Sequence, residues 1–79
     1  MGSKYEAEQA ALIQSLANKC LAALHQLGYS VQSIEEVAMS RVYARICVGT
    51  INVLVALDPA LRKAGLQLCK ELDVTPNFS

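Results

Sequence analysis

Arg41, Tyr43 and Arg45 alternate with Val42 and Ala44 at the head of the segment RVYARICVGTINVLVALD, residues 41–58. An aromatic ring between two guanidinium groups can stack on bases and hold phosphates, as sheet-based binders of single strands do. It can equally anchor a protein interface, where Tyr and Arg are enriched. The composition favours the protein. Seven Lys and Arg balance seven Asp and Glu to a formal net charge of zero, and the chain has one Phe and no Gly-rich phosphate loop, so nucleic acid is not the expected partner.

Cys47 is the one residue with nucleophilic chemistry in the same segment, and Arg45, two residues before it, can lower a thiol's pKa. A thiol nucleophile also needs a base within hydrogen-bond reach. The only histidine, His25, has no reason in the sequence to meet Cys47. Cys20, Cys47 and Cys69 are odd in number and far apart, and they form no Cys-x-x-Cys pair. They therefore read as small buried hydrophobes of a cytoplasmic, reducing environment rather than as a disulfide framework or a zinc site. Glu35 and Glu36 are adjacent, so they point apart on either a strand or a helix and make no acid-base pair. No catalytic residue, metal or cofactor is expected.

The elements that must position these side chains are legible to different degrees. Residues 4–27 lack Gly and Pro, and Ile13, Leu16, Cys20, Leu24 and Leu27 recur at intervals of three or four, which predicts a long first helix. Gly28 supplies its stop, with Tyr29 folding back on the last turn. In residues 30–40, Ser33 and Glu36 form a capping box for a short helix, yet a third strand would broaden the sheet expected next, and the strand is the preferred reading.

Across residues 41–58 two alternating runs meet at Gly49-Thr50, which reads as a hairpin turn. Folded there, Val42, Ala44, Ile46 and Val48 share an inner face with Ile51, Val53, Val55 and Leu57. Arg41, Tyr43, Arg45 and Cys47 face outward opposite Asn52, Leu54 and Ala56. Asp58-Pro59 opens a second helix, to Leu72, with Leu61, Ala64, Leu68 and Leu72 inward and Gly65 allowing close approach to the sheet or to the first helix. Asp73 falls in a tail where substitution should be silent.

The expected fold is thus a single small α+β domain, residues 1–79, with flexible ends at 1–3 and 73–79. It comprises a long N-terminal helix, an antiparallel β-hairpin or three-stranded sheet, and a C-terminal helix packed on one sheet face. With 53% hydrophobic and 18% charged residues, so short a chain has apolar surface left over after building one core. A homodimer or a contact with another protein is therefore expected, through Arg41, Tyr43, Arg45 and Leu54 on the outer sheet face. No segment reads as a leader or a membrane span, so membrane is not an expected partner. The function class that fits is a non-enzymatic interaction module, a small inhibitor or adaptor, with phage-type inhibitors as examples of the profile, that occludes a partner surface. A single-stranded nucleic-acid module is the alternative.

Overall fold

The computed structural model describes residues 3–78; Met1, Gly2 and Ser79, the outermost residues of the two ends expected to be flexible, lie outside it. The uninterrupted run of good helix formers makes helix α1 (Ser3–Gln26). Its end is the Gly stop in full. Gly28 adopts a left-handed φ of 94°, its N–H donates to the His25 carbonyl at 3.0 Å, and the Tyr29 N–H reaches back to the Leu24 carbonyl at 3.0 Å. The His25 ring adds a lock by hydrogen-bonding through Nε2 to the Val31 carbonyl at 2.6 Å.

The chain then departs from the expected plan. Among the described residues there is no strand, and the fold is all-helical rather than α+β. Residues 34–38 form a short helix, α2 (Ile34–Ala38), because the capping box prevails: Ser33 Oγ accepts the Glu36 N–H at 3.2 Å, and Glu36 Oε1 accepts the Gln32 N–H at 3.0 Å.

The expected hairpin is a single helix, α3 (Arg41–Leu57), whose first turn is capped by Ser40 Oγ accepting the Tyr43 N–H at 3.3 Å. Gly49 and Thr50 lie in its middle, and the Thr50 hydroxyl donates to the Ile46 carbonyl one turn back at 3.2 Å. The alternation that suggested a sheet is real, but apolar residues fill so many positions that a 3.6-residue period fits as well. With Ser40 capping one end and Asp58 closing the other, the segment satisfies its backbone internally and needs no strand partner.

Asp58 serves both sides of the next corner. Its N–H donates to the Leu54 carbonyl at the end of α3, and its carboxylate accepts the Ala60 N–H at 3.2 Å, starting a 3₁₀ turn (Pro59–Leu61) that runs into α4 (Arg62–Glu71). The helix start read at Asp58-Pro59 therefore stands. At the far end of α4, Asp73 takes a left-handed φ of 55°, and the Val74 N–H closes on the Cys69 carbonyl at 3.0 Å, a second stop of the Gly28 kind made without glycine. Asp73 is a structural corner and not a silent tail residue. Beyond it, Val74 and Phe78 pack against the core, and the Asn77 N–H donates to Asn52 Oδ1 at 2.9 Å.

These caps set an expected contrast in chemical unfolding. Asp58→Ala should lose about 0.5–2 kcal/mol with its cap. Asp73→Gly should gain up to about 1 kcal/mol by relieving the left-handed backbone, and Asp73→Ala should lose about 1 kcal/mol by adding a poorly tolerated Cβ there. Urea midpoints that leave both Asp73 variants at wild type would contradict this corner.

Helix α1 is the spine against which α3 and α4 both lie, and α2 packs on α3. The core is made by Leu16, Cys20 and Leu24 of α1, Ala44, Cys47, Ile51 and Val55 of α3, and Ala64, Leu68 and Cys69 of α4. Val31, Val37 and Leu72 close it, and among the described residues no polar or charged residue is buried. Gly65 is where α4 meets α3 most tightly: a Cβ there would lie 2.9 Å from Val55 Cγ2 and 3.1 Å from Ile51 Cγ2 and Phe78 Cζ. The close approach at Gly65, expected toward the sheet or the first helix, is to α3. No helix of the described residues is long and apolar enough to cross a membrane.

Candidate interaction surface

A helix turns about 100° per residue, and this dismantles the outer-sheet patch. Arg41 and Arg45 fall on one flank of α3, one turn apart, while Tyr43 and Leu54 lie about 140–180° away from them. Each has local work. The Arg41 guanidinium donates to the Leu72 and Asp73 carbonyls, both at 2.9 Å, and so satisfies the C-terminal end of α4. Tyr43 is half-buried with its ring edge-on to Tyr29, centroids 5.1 Å apart, and Leu54 packs on the rim of the core. Arg45 is exposed. No single face gathers an aromatic ring and two cations.

The thiols are gathered, but inward. Cys47, expected to project outward, is fully buried and approached by the thiol of Cys20, whose Sγ lies 3.8 Å from the Cys47 carbonyl oxygen; Cys69 is buried in the same core. Hydrogen bonding to Cys47, then burial, raises the Cys20 thiol far above its ordinary range, and burial raises Cys69. Cys47 is drawn down by the hydrogen bond from Cys20, against the opposing effect of its own burial. Arg45 points the other way around the helix from Cys47, at about 160–200°, and does not activate it. In the folded protein all three thiols should therefore resist a thiol-reactive dye for as long as the fold holds, and all three should react once guanidinium is added. One thiol reacting at once in native buffer would place a cysteine at the surface.

What the surface does present is a helix that is apolar on two sides. The buried face of α3 runs through Ala44, Cys47, Ile51 and Val55. On the opposite side Val42, Ile46, Gly49, Val53 and Ala56 follow the alternating steps of four and three that put a stripe along a helix, with Leu57 one turn past Val53 and Ile46 half-buried against the core. Val42 is 58% exposed, Val53 59% and Leu57 77%. In a hairpin all three would be core residues; the helix turns them to the surface. In the middle of the stripe, nothing lies within 4 Å of where a Gly49 Cβ would stand. Glycine inside a helix is less favourable than Ala by about 0.5–1 kcal/mol, and neither the backbone conformation nor internal packing requires it here.

Apolar exposure elsewhere is scattered. The free face of α1 carries Lys4, Glu6, Glu8 and Gln14 among its alanines, a solvated pattern; Tyr5, half-exposed there, accepts a hydrogen bond on its hydroxyl from the Lys63 ammonium, and Leu27, 63% exposed, stands alone just past the helix. The outer stripe of α3 has no acidic residue and only Arg45 at its edge. Among the described residues no group of three or more His, Cys, Asp or Glu is arranged to hold a metal ion.

No protein-family model, curated protein or solved structure matches the chain.

Proposed function

We propose that the chain is a non-enzymatic protein-interaction module whose working surface is the outer face of α3, in the manner of a small inhibitor or adaptor that covers a partner surface. The single observation that carries this reading is the exposure of Val42, Val53 and Leu57 along one face of α3, around an uncovered Gly49. A helix of this kind lies in an apolar groove or against another helix, and its anchors at intervals of three and four set the register. The reading moves the contact away from Tyr43 and Leu54, which serve the interior, and keeps Arg45 at the rim, where a cation steers association more than it holds it.

Site-specific photo-crosslinking tests this in the producing cell. A benzophenone amino acid at position 53 should yield a protein adduct, and the same group at Lys19, on the polar face of α1, should not. Equal adducts at both positions, or none at 53, would contradict the assignment.

A further inference from the structure

Resting on the reading of the α3 outer face as an interface, we infer that its occupant is a second copy of this chain, with the two α3 helices antiparallel and crossing at Gly49. Three observations point to this. The first is area. The folded chain exposes 5117 Å², against about 4,650 Å² for a typical monomer of 8.5 kDa, so on the order of 450 Å² more surface than usual remains in water. Of the six large apolar side chains exposed by half or more, Tyr5, Leu27, Met39, Val42, Val53 and Leu57, three stand on α3 and Met39 stands just before it.

The second is the near-symmetry of the stripe. Reversing α3 about Gly49 sets Val42 against Ala56, Ile46 beside Val53 of the other copy, and Gly49 against itself. A two-fold axis beside Gly49 brings the bare backbones together where no side chain holds them apart, and bulky residues flank the crossing on both sides. The two most exposed large apolar side chains, Met39 at 88% and Leu57 at 77%, sit just before and at the end of α3, so reversal brings each to the other at both ends of the contact.

The third is charge. The N-terminal half of α3 carries only cations, Arg41 and Arg45, while its C-terminal end is followed by Asp58 and carries the negative end of the helix dipole. Antiparallel pairing places Arg45 about five residues, or about 7.5 Å, from the level of the second copy's Asp58, within the reach of an arginine side chain. Parallel pairing would set Arg45 beside Arg45 and both helix N-termini together.

Thiol crosslinking distinguishes these arrangements, because the three native cysteines are buried and the new ones stand on exposed positions. Val42→Cys and Ala56→Cys proteins, mixed, allowed to exchange and treated with a short bis-maleimide, should give the mixed 42–56 adduct as the main product by mass. Val42→Cys alone should give little, since its two copies would stand about 21 Å apart along the axis. As a second variant, Gly49→Leu, which has open space in the monomer, should keep or raise helicity while weakening self-association at least tenfold. A dominant 42–42 adduct would overturn the antiparallel arrangement, and wild-type affinity in Gly49→Leu would overturn the crossing point. Absence of all adducts with a mass of one chain would overturn the second copy altogether; if position 53 then still crosslinks to a foreign protein in cells, the interface reading survives, and if it does not, both fall.

Discussion

Ile51→Ala should cost about 2–5 kcal/mol, a large share of what a chain of this length has to spare, while Val53→Ala in dilute solution should change stability by less than about 0.5 kcal/mol. The two residues are two positions apart and both β-branched. A strand would bury both on one face, with equal penalties. The helix buries Ile51 completely among α1, α3 and α4 and leaves Val53 59% exposed on the opposite side. Urea unfolding of the two single variants, monitored by circular dichroism, is therefore a direct reading of which period the segment obeys. Similar losses at both positions would return the segment to a hairpin.

The second large effect is expected at Gly65. Its missing side chain lets α4 settle against α3, and a methyl group there would stand 2.9–3.1 Å from two methyls of α3 and the Phe78 ring. Gly65→Ala gains helix propensity of about 1 kcal/mol but must push Val55, Ile51 and Phe78 aside, so a net loss of about 1–2 kcal/mol is expected. Gly65→Val, which adds two further methyls and a stiff rotamer, should lose about 3 kcal/mol or more and release the 74–78 segment from the core. Thermal melts of the two variants check the order; a stabilised Gly65→Ala would mean that α4 sits further from α3 than described.

The helix ends were legible wherever one residue has one job. Gly28 could only be a left-handed stop, and Asp58-Pro59 could only open a helix; both are found in those roles. The Ser33 and Glu36 capping box is equally plain, and only the expected hairpin gives a reason to prefer a third strand over it. The hairpin is thus where the expected α+β fold and the observed helices part. Residues 42–57 are apolar at so many positions that alternate residues on either side of Gly49-Thr50, read alone, form a sheet face, while Ala44, Cys47, Ile51 and Val55 form a helix face just as well. Periodicity does not choose between them. Packing does: α1 offers a stripe of Leu16, Cys20 and Leu24 that a helix with small residues at 44 and 47 can approach closely.

The same ambiguity hid the candidate surface. In a sheet, Val42, Val53 and Leu57 are core and Tyr43, Arg45 and Leu54 are surface; in the helix these roles largely exchange, and only Arg45 keeps its place. The surplus of apolar residues did announce that some face was left uncovered. A glycine in a helix with no neighbour to make room for is the signal that locates it, and it became readable only once the segment was known to be helical.

Sedimentation equilibrium of the wild-type chain beside a Val53→Asp, Leu57→Asp double variant tests the central claim most directly, because both substitutions fall on the outer face of α3 and touch nothing buried. The wild type at micromolar concentration should have a mass near twice 8.5 kDa, and the variant, with an unchanged helical circular dichroism spectrum, the mass of one chain. Equal masses for the two folded proteins would contradict the assignment of this face as the contact between two copies.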